Sequence, residues 1–373
     1  MELPARGSDK RRLRPSFVDS VAKTGAALID ARRILSYNTL SYMATQRRGE
    51  GLVPSRTRRR FLHAAMGGVA GMCFGSAALR VGTTRAQAEP EAVGARSLSD
   101  DLHVLTVGQV NVVASTAPEG VLLVDGASAD TADVLLDAIA NLPAAGRIHT
   151  LFNTHWHPEQ TGLNERVGTA GATIVAHENT RLWLSTDVTW PWDGQHFEPL
   201  PEAARPSETF YEHGELASGV RYGYLRHAAH TDGDLYVYFP GANVLAVGDA
   251  VSGEGWPFID WWTGGWIGGI VGGLELLLSL TDSETRIVPA RGPVLGRGDL
   301  ERQYEMYNAI YARLSRLLNG GMGPDEAVAA RPTEEFDAEM GPPDAFVKQA
   351  FMSLWPYLSP DAAIGRRKWQ QFA

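Results

Sequence analysis

Two histidines separated by one residue follow an apolar run near the middle of the chain. Residues 154–162 read THWHPEQTG, so His155 and His157 come just after Ile148–Phe152, a run that predicts a buried strand. Imidazoles at positions i and i+2 can face one point if the backbone leaves regular pleating at the strand end. Ring nitrogens bind zinc at about 2.0–2.1 Å. The segment therefore predicts one side of a metal site.

Two more polar turns follow the ends of later elements. His230 begins the turn HTDG before a predicted strand at Leu235–Phe239, and Asp249 closes the next one, Val244–Val247. Both turns could contribute ligands to a metal bound near His155 and His157, because any metal there must rely on His, Asp and Glu.

Strand and helix patterns place these turns in a two-sheet architecture. Pairs of strands alternate with single helices between residues 98 and 298, which predicts two sheets packed face to face with helices outside. Residues 299–373 predict a helical C-terminal extension. The predicted helices are Ala129–Leu142, Leu163–Val167, Glu178–Leu184, Gly264–Leu280, Leu300–Leu318, Pro324–Ala330 and Ala345–Leu354.

The polar turns resemble those of the metallo-β-lactamase superfamily. THWHPEQTG resembles the HxHxDH signature, the HTDG turn resembles "GHTPG", and Gly248-Asp249 resembles the "GD" that follows it. The resemblance implies an α+β fold, the four-layer αβ/βα sandwich. It also implies that His155, His157 and His230 are the ligands of the first metal site and that Asp249 is the bridging ligand.

The chain departs from the superfamily at the second metal site. Glu159 stands where the signature has Asp, Gln160 where it has His, and Arg291 where a late "PGHG"-like turn has His. An amide is a weak zinc ligand and a guanidinium is none. We therefore expect a single zinc ion, with Arg291 pairing with Glu159, Asp249 or both in place of the second cation. Arg291 could also bind an anionic substrate or a developing oxyanion.

Other residues are expected to support the site. The resemblance implies that Asp125 braces the histidine loop at a strand end and that His177 has a structural role at a sheet–helix junction. Gln160 is also expected to support the site structurally. The Trp residues near the polar turns could line a pocket for rings or acyl chains, or could pack in the core. The predicted rim comprises Trp156, Trp256 and Trp261.

These features favour a metal-dependent hydrolase. The expected reaction is attack of water on the carbonyl of an ester, thioester, lactone or β-lactam, with Asp249, Arg291 and Glu159 as catalytic residues. The alternative is a non-catalytic binding or accessory protein with the same fold, because the ligands of the second metal site are lost.

The charge and the cysteine content limit which binding partners and which metal ligands the chain can have. The net charge of −9 combines a basic N-terminal segment with a strongly acidic remainder, which would repel a phosphate backbone and disfavours nucleic acid as a partner. We expect a small-molecule substrate. The only cysteine is Cys73, so no disulfide can form within the chain and no cysteine lies near the predicted ligands.

The N-terminal segment resembles an export signal. Residues 56–88 contain Thr57-Arg58-Arg59-Arg60-Phe61-Leu62, a twin-arginine pattern, then an apolar stretch and a small-x-small cleavage site at Ala86–Ala88. Residues 1–55 form a basic extension without a periodic core. We expect recognition by the export machinery, a periplasmic or secreted product, and no integral membrane span after signal removal.

Overall fold

The computed structural model describes residues 93–358. The predicted N-terminal extension, the twin-arginine segment and the last residues of the C-terminal extension, 359–373, lie outside the described residues. Among the helices of residues 93–358, none combines the length and the apolar composition needed to cross a bilayer.

The first sheet has seven strands, and the segment that contains His155 and His157 follows one of them. In spatial order its strands are β1 (Gly94–Ser97), β2 (Leu102–Val107), β3 (Val110–Ala117), β4 (Gly120–Val124), β5 (Ile148–Phe152), β6 (Thr173–His177) and β9 (Glu208–Phe210). Strands β1 to β4 pair antiparallel, whereas β4, β5, β6 and β9 pair parallel. The carboxyl ends of β4 and β5 therefore meet at one edge, where Asp125 and the histidine segment begin.

The second sheet has five strands. In spatial order these are β10 (His213–Glu215), β11 (Arg221–Tyr224), β12 (Leu235–Phe239), β13 (Val244–Gly248) and β14 (Arg286–Pro289). The pairs up to β13 are antiparallel, and β13 pairs parallel with β14. A separate hairpin joins β7 (Val188–Thr189) to β8 (His196–Phe197). The residues after β13 and β14, among them Asp249 and Arg291, leave this sheet at a common edge.

Nine α-helices lie within residues 93–358, and several of them cover the outer faces of the sheets. They are α1 (Ala132–Ala140), α2 (Pro158–Thr161), α3 (Asn164–Thr169), α4 (Glu178–Leu184), α5 (Ile267–Leu280), α6 (Arg297–Asn319), α7 (Pro324–Ala329), α8 (Asp337–Met340) and α9 (Asp344–Leu358), counted over residues 93–358. Helix α5 begins at Ile267 rather than at the predicted Gly264. Gly264 has a φ of +93° and ends a preceding 3-10 turn, which an α-helix could not continue.

Three buried clusters show how the layers stack. Val124 and Phe152 of the first sheet pack with Val237 and Ala246 of the second, which fills the space between the sheets. A second cluster lies between the first sheet and helices α1 and α3. A third joins the outer face of the second sheet to α5, α6 and α9. The predicted four-layer sandwich with C-terminal helices is confirmed.

Candidate metal centre

The loop after β5 is anchored by Asp125. Asp125 ends β4 with a φ of +65°, and its two carboxylate oxygens accept hydrogen bonds from Thr154 N and Thr154 Oγ1, each at 2.8 Å. His157 then takes an extended conformation before helix α2, whose first residue is Pro158. These constraints turn the backbone out of the sheet between Thr154 and Pro158, so both imidazoles face the same side.

His155, His157 and His230 converge in the interior. One ring nitrogen from each lies within 4.8 Å of the others, and all three residues are buried. His157 Nδ1 and His230 Nε2 are 3.0 Å apart. Nε2 of His155 is buried and has no hydrogen-bond partner among the described residues.

The remaining nitrogen of each ring is held by a polar partner. His230 Nδ1 donates to the Phe258 carbonyl at 2.7 Å, and His157 Nε2 is 3.1 Å from Oδ2 of Asp260. His155 Nδ1 is 3.1 Å from Thr154 Oγ1, whose own proton goes to Asp125. When these outer nitrogens carry the protons, all three inner nitrogens present lone pairs to one another.

Such an arrangement fits a cation. Three convergent lone pairs repel each other and leave the buried Nε2 of His155 unsatisfied, whereas a zinc ion would be bound by all three. Burial first, and then the neighbouring His230 and His157, lower the pKa of His155 well below its usual value. The ring is therefore neutral, as a metal ligand must be.

Asp260 orients His157, a role that the sequence analysis missed. It is fully buried, and besides His157 it accepts hydrogen bonds from Thr263 N and Thr263 Oγ1. Burial alone would raise its pKa, but the hydrogen bonds with His157 and Thr263 lower it. The available signal was a single Asp inside an apolar and aromatic run, WPFIDWW.

Asp234 and Asp232 support the turn that carries His230. The carboxylate of Asp234 accepts hydrogen bonds from Thr231 N, Thr231 Oγ1 and Ala229 N. Oδ1 of Asp232 accepts a bond from Trp183 Nε1 at 2.7 Å. The backbone on both sides of His230 is thereby fixed.

A charged cluster lies beside the histidines. Arg291 Nη2 is 2.6 Å from Oε1 of Glu159, and Arg291 Nε is 3.6 Å from Oδ1 of Asp249. The other oxygen of Asp249, Oδ2, is 3.6 Å from His155 Nε2 and 3.5 Å from Gln160 Nε2. Asp249 thus stands between the imidazoles and the guanidinium. Although burial would raise the pKa of Glu159, the neighbouring His157 and Arg291 and a backbone hydrogen bond lower it, so Glu159 is ionised.

Asn111 of β3 anchors the loop that carries Arg291. Asn111 N donates to the Ala290 carbonyl at 2.7 Å, and Asn111 Nδ2 donates to the carbonyls of Pro289 and Gly292 at 3.0 and 2.8 Å. A residue of the first sheet therefore fixes a loop of the second. Sequence reasoning missed it because nothing local marks a contact across 181 positions.

His177 lies outside the histidine trio. Its Nδ1 accepts a hydrogen bond from Asn179 N and caps helix α4, and its ring stacks on Tyr224 with centroids 4.2 Å apart. Burial lowers its pKa to about 4, only partly opposed by a backbone hydrogen bond to Tyr211.

Two residues predicted at the rim lie elsewhere. Trp156 is only 2% exposed and packs with Trp183 beneath the histidines, because its indole is directed into the core. Trp256 stacks on Phe346 of α9 and donates to the Gly341 carbonyl, so it joins the C-terminal helices to the domain. Trp261 is partly exposed and contacts Trp192, with ring centroids 5.6 Å apart.

The open side of the trio has a different aromatic wall, formed by Trp190, Trp192, Phe258 and Trp261. Trp190 meets the His157 ring edge-on at 5.4 Å, and Phe258 lies 5.9 Å from both His157 and His230. Trp192, in the turn of the β7–β8 hairpin, is 36% exposed. The site thus has a charged side at Arg291 and an apolar side at Trp192.

Comparisons with solved structures return metallo-β-lactamases. DIM-1 metallo-beta-lactamase is 16% identical, with 58% of this chain and 97% of that chain covered and a TM-score of 0.47. A metallo-beta-lactamase from Pontibacter korlensis is 18% identical, with 58% and 99% covered and a TM-score of 0.47. TMB-1 is 15% identical, with 58% and 97% covered and a TM-score of 0.45. No match was found among curated proteins.

A family model gives the sequence range of the domain. Residues 105–290 match the model described as "Metallo-beta-lactamase superfamily". This range begins in β2 and ends just after β14, so it includes His155, His157, His230 and Asp249. With two facing sheets, outer helices and polar turns at the shared edge, the described chain has the metallo-β-lactamase fold.

Proposed function

We propose that the protein is a metal-dependent hydrolase that holds one zinc ion through His155, His157 and His230. The observation that carries the proposal is the convergence of three buried imidazole nitrogens, one of which, His155 Nε2, has no hydrogen-bond partner among residues 93–358. When bound, zinc would supply a Lewis acid and an activated water molecule for attack on a carbonyl. Candidate substrates are esters, thioesters, lactones and β-lactams.

The neighbouring side chains suit this reaction. Asp249 has Oδ2 3.6 Å from the free nitrogen of His155, where the carboxylate can accept the proton of an attacking water. Its other oxygen, Oδ1, is 3.6 Å from Arg291 Nε, and this contact orients the carboxylate. The Arg291 side chain is 43% exposed, so its guanidinium can also reach an oxyanion that develops on the substrate.

The same cluster supports a single ion. A second divalent cation beside the trio would lie close to the Arg291 guanidinium and be repelled by it. Glu159 and Asp249, the acidic groups at this position, already have Arg291 as their partner. Gln160 offers only an amide, and its Nε2 is directed toward Asp249.

We further propose that the protein is exported through the twin-arginine pathway and acts on a small molecule outside the cytoplasm. The motif at residues 57–62 and the apolar stretch after it support this proposal. The acidic charge of the remaining chain makes nucleic acid an unfavourable substrate.

Zinc content and hydrolysis together test the function. Wild type and His157→Ala would be loaded with excess zinc, desalted, and assayed with chromogenic esters, thioesters, lactones and cephalosporins. We expect one zinc per chain and turnover of at least one substrate class in the wild type, and loss of both in the variant. Zinc binding without any turnover would favour the binding or accessory protein instead.

A further inference from the structure

One face of helix α9 runs along the segment that orients two of the three histidines. Phe346, Gln349, Ser353 and Tyr357 are spaced by three or four residues and therefore share a face of the helix. All four contact the segment between Trp256 and Ile267.

The contacts follow one another along the helix. Phe346 stacks on Trp256 with centroids 4.6 Å apart. Gln349 Oε1 accepts a hydrogen bond from Ile259 N at 3.3 Å, and Ser353 Oγ accepts one from Ile267 N at 3.3 Å.

The last turn of the helix adds two further contacts. Tyr357 donates from its hydroxyl to the Gly264 carbonyl at 2.7 Å. Its ring also stacks on Trp266, with centroids 4.3 Å apart. The segment is therefore fixed through both its backbone and its aromatic rings.

The contact made by Gln349 lies closest to the metal candidates. Ile259 stands between Phe258, whose carbonyl accepts the His230 hydrogen bond, and Asp260, whose carboxylate contacts His157. Holding the Ile259 amide therefore fixes both groups at once. The Ile259 side chain is fully buried in the cluster shared with α9, which restricts the backbone further.

We infer that helix α9 is a positioning element for the metal centre and that Gln349 is its positioning residue. The inference rests on the proposed metal site. It extends that site beyond residues 105–290, the range matched by the family model, to a helix at residues 344–358. Groups that orient metal ligands affect affinity because they fix the direction of the ligand lone pairs.

Zinc affinity of the full chain is the test, measured by competition with a chromophoric chelator, together with the visible spectrum of the cobalt-loaded protein. Gln349→Ala removes the acceptor for the Ile259 amide. We expect zinc to bind about three- to tenfold more weakly, the effect of losing about one hydrogen bond, and the cobalt bands to shift. Gln349→Glu retains an acceptor and should restore wild-type affinity within about twofold.

Two other variants complete the design. Lys348→Ala, also on α9, removes only an exposed ion pair with Asp325 of α7 and should leave zinc affinity unchanged. Tyr357→Phe deletes a single hydroxyl contact and should weaken zinc by about two- to fivefold, which provides a second test if Gln349→Ala does not fold.

Unchanged zinc affinity and cobalt spectra in both Gln349→Ala and Tyr357→Phe would overturn the inference, even if the variants were less stable to urea. A wild type that binds no zinc would instead overturn the proposed function, and this inference with it. The two failures are therefore distinguishable.

Discussion

Nη2 of Arg291 lies 2.6 Å from Oε1 of Glu159, beside the histidine trio. The two residues are 132 positions apart: Glu159 lies in the short helix α2, which follows β5 of the first sheet, and Arg291 lies in the loop after β14 of the second. We propose that this fixed positive charge takes the place of the second metal ion that the superfamily resemblance implies. It partners acidic groups that would otherwise be left without a counter-charge.

The first prediction concerns metal stoichiometry. Wild type should bind one zinc, whereas the triple variant Glu159→Asp, Gln160→His, Arg291→His should bind two. The substitutions remove the competing cation and supply two imidazoles and a shorter carboxylate. Elemental analysis after gel filtration in buffered zinc gives the ratio.

Arg291→Ala alone is the matched control and should remain at one zinc, because it adds no ligand. Two tightly bound ions in the wild type would contradict the single-ion proposal.

Substitution of Arg291 should separate activity from stability. Arg291→Ala should lower kcat about 10²- to 10³-fold if the guanidinium stabilises the oxyanion. It should lower the free energy of unfolding by only about 1 kcal/mol or less, because the side chain is 43% exposed.

Arg291→Lys retains the charge but not the planar fork, so its kcat should be intermediate. Turnover by Arg291→Ala equal to that of the wild type would show that the residue does not act on the reaction.

Asp260→Asn tests the orientation of His157. The variant keeps the shape of the side chain but removes the charge that the imidazole faces at 3.1 Å. We expect zinc affinity to fall by about 10- to 100-fold, as for other groups that support a metal ligand. Competition with a chelator measures the effect.

Asp282→Asn, at an exposed turn after α5, is the control for an Asp to Asn change. Equal zinc affinity of Asp260→Asn and wild type would mean that the carboxylate does not tune the site.

The lowered pKa of His177 predicts that the protein loses stability in acid. Its pKa is lowered from 6.5 to about 4 in the folded chain, so between these values the unfolded state binds more protons. The stabilisation is complete above pH 6.5 and is lost as the pH falls toward 4. The full effect corresponds to about 3 kcal/mol.

His177→Asn keeps a capping side chain at the start of α4 but does not titrate. Urea unfolding of both zinc-free proteins at pH 7 and pH 4.5 should show a smaller pH effect in the variant. Identical pH effects would assign the acid sensitivity to other groups.

The aromatic wall predicts substrate preference. Trp192→Ala should lower kcat/KM for aryl or long acyl esters by about tenfold while changing the acetyl ester little, because it removes apolar surface that only the larger group contacts. Trp355→Ala, an exposed tryptophan on α9, is the control. A uniform loss across the acyl series would argue against a binding role for Trp192.

Local patterns in the sequence were sufficient for the architecture. Helix α4 begins and ends at Glu178 and Leu184 as predicted, because it is bounded by a capping residue and by the turn after Leu184. The trio and the Arg291 pair were also expected, since each lies in a turn next to a strand with a clear period. Membership of these turns in one site came from the superfamily resemblance.

The supporting groups could not be predicted in this way. Asp260, Asn111 and Gln349 act through contacts with residues distant in the sequence, and the identity of those residues depends on how the layers pack. The β7–β8 hairpin was not predicted, because each strand has only two residues. Trp156 was misplaced because a tryptophan beside a site can be directed into the core as readily as toward solvent.

The bonds from Asn111 to the Arg291 loop bear on the order of assembly. Closing so long a stretch of chain costs entropy before the contact contributes stability, so we expect this contact to form after the local contacts of the first sheet. Until β14 docks, a nascent site would present Glu159 and Asp249 without their guanidinium, and such a pair of carboxylates attracts any abundant divalent ion. The site would then discriminate between metal ions only after β14 has docked and Arg291 has reached the two carboxylates, so that metal selectivity depends on completion of the fold.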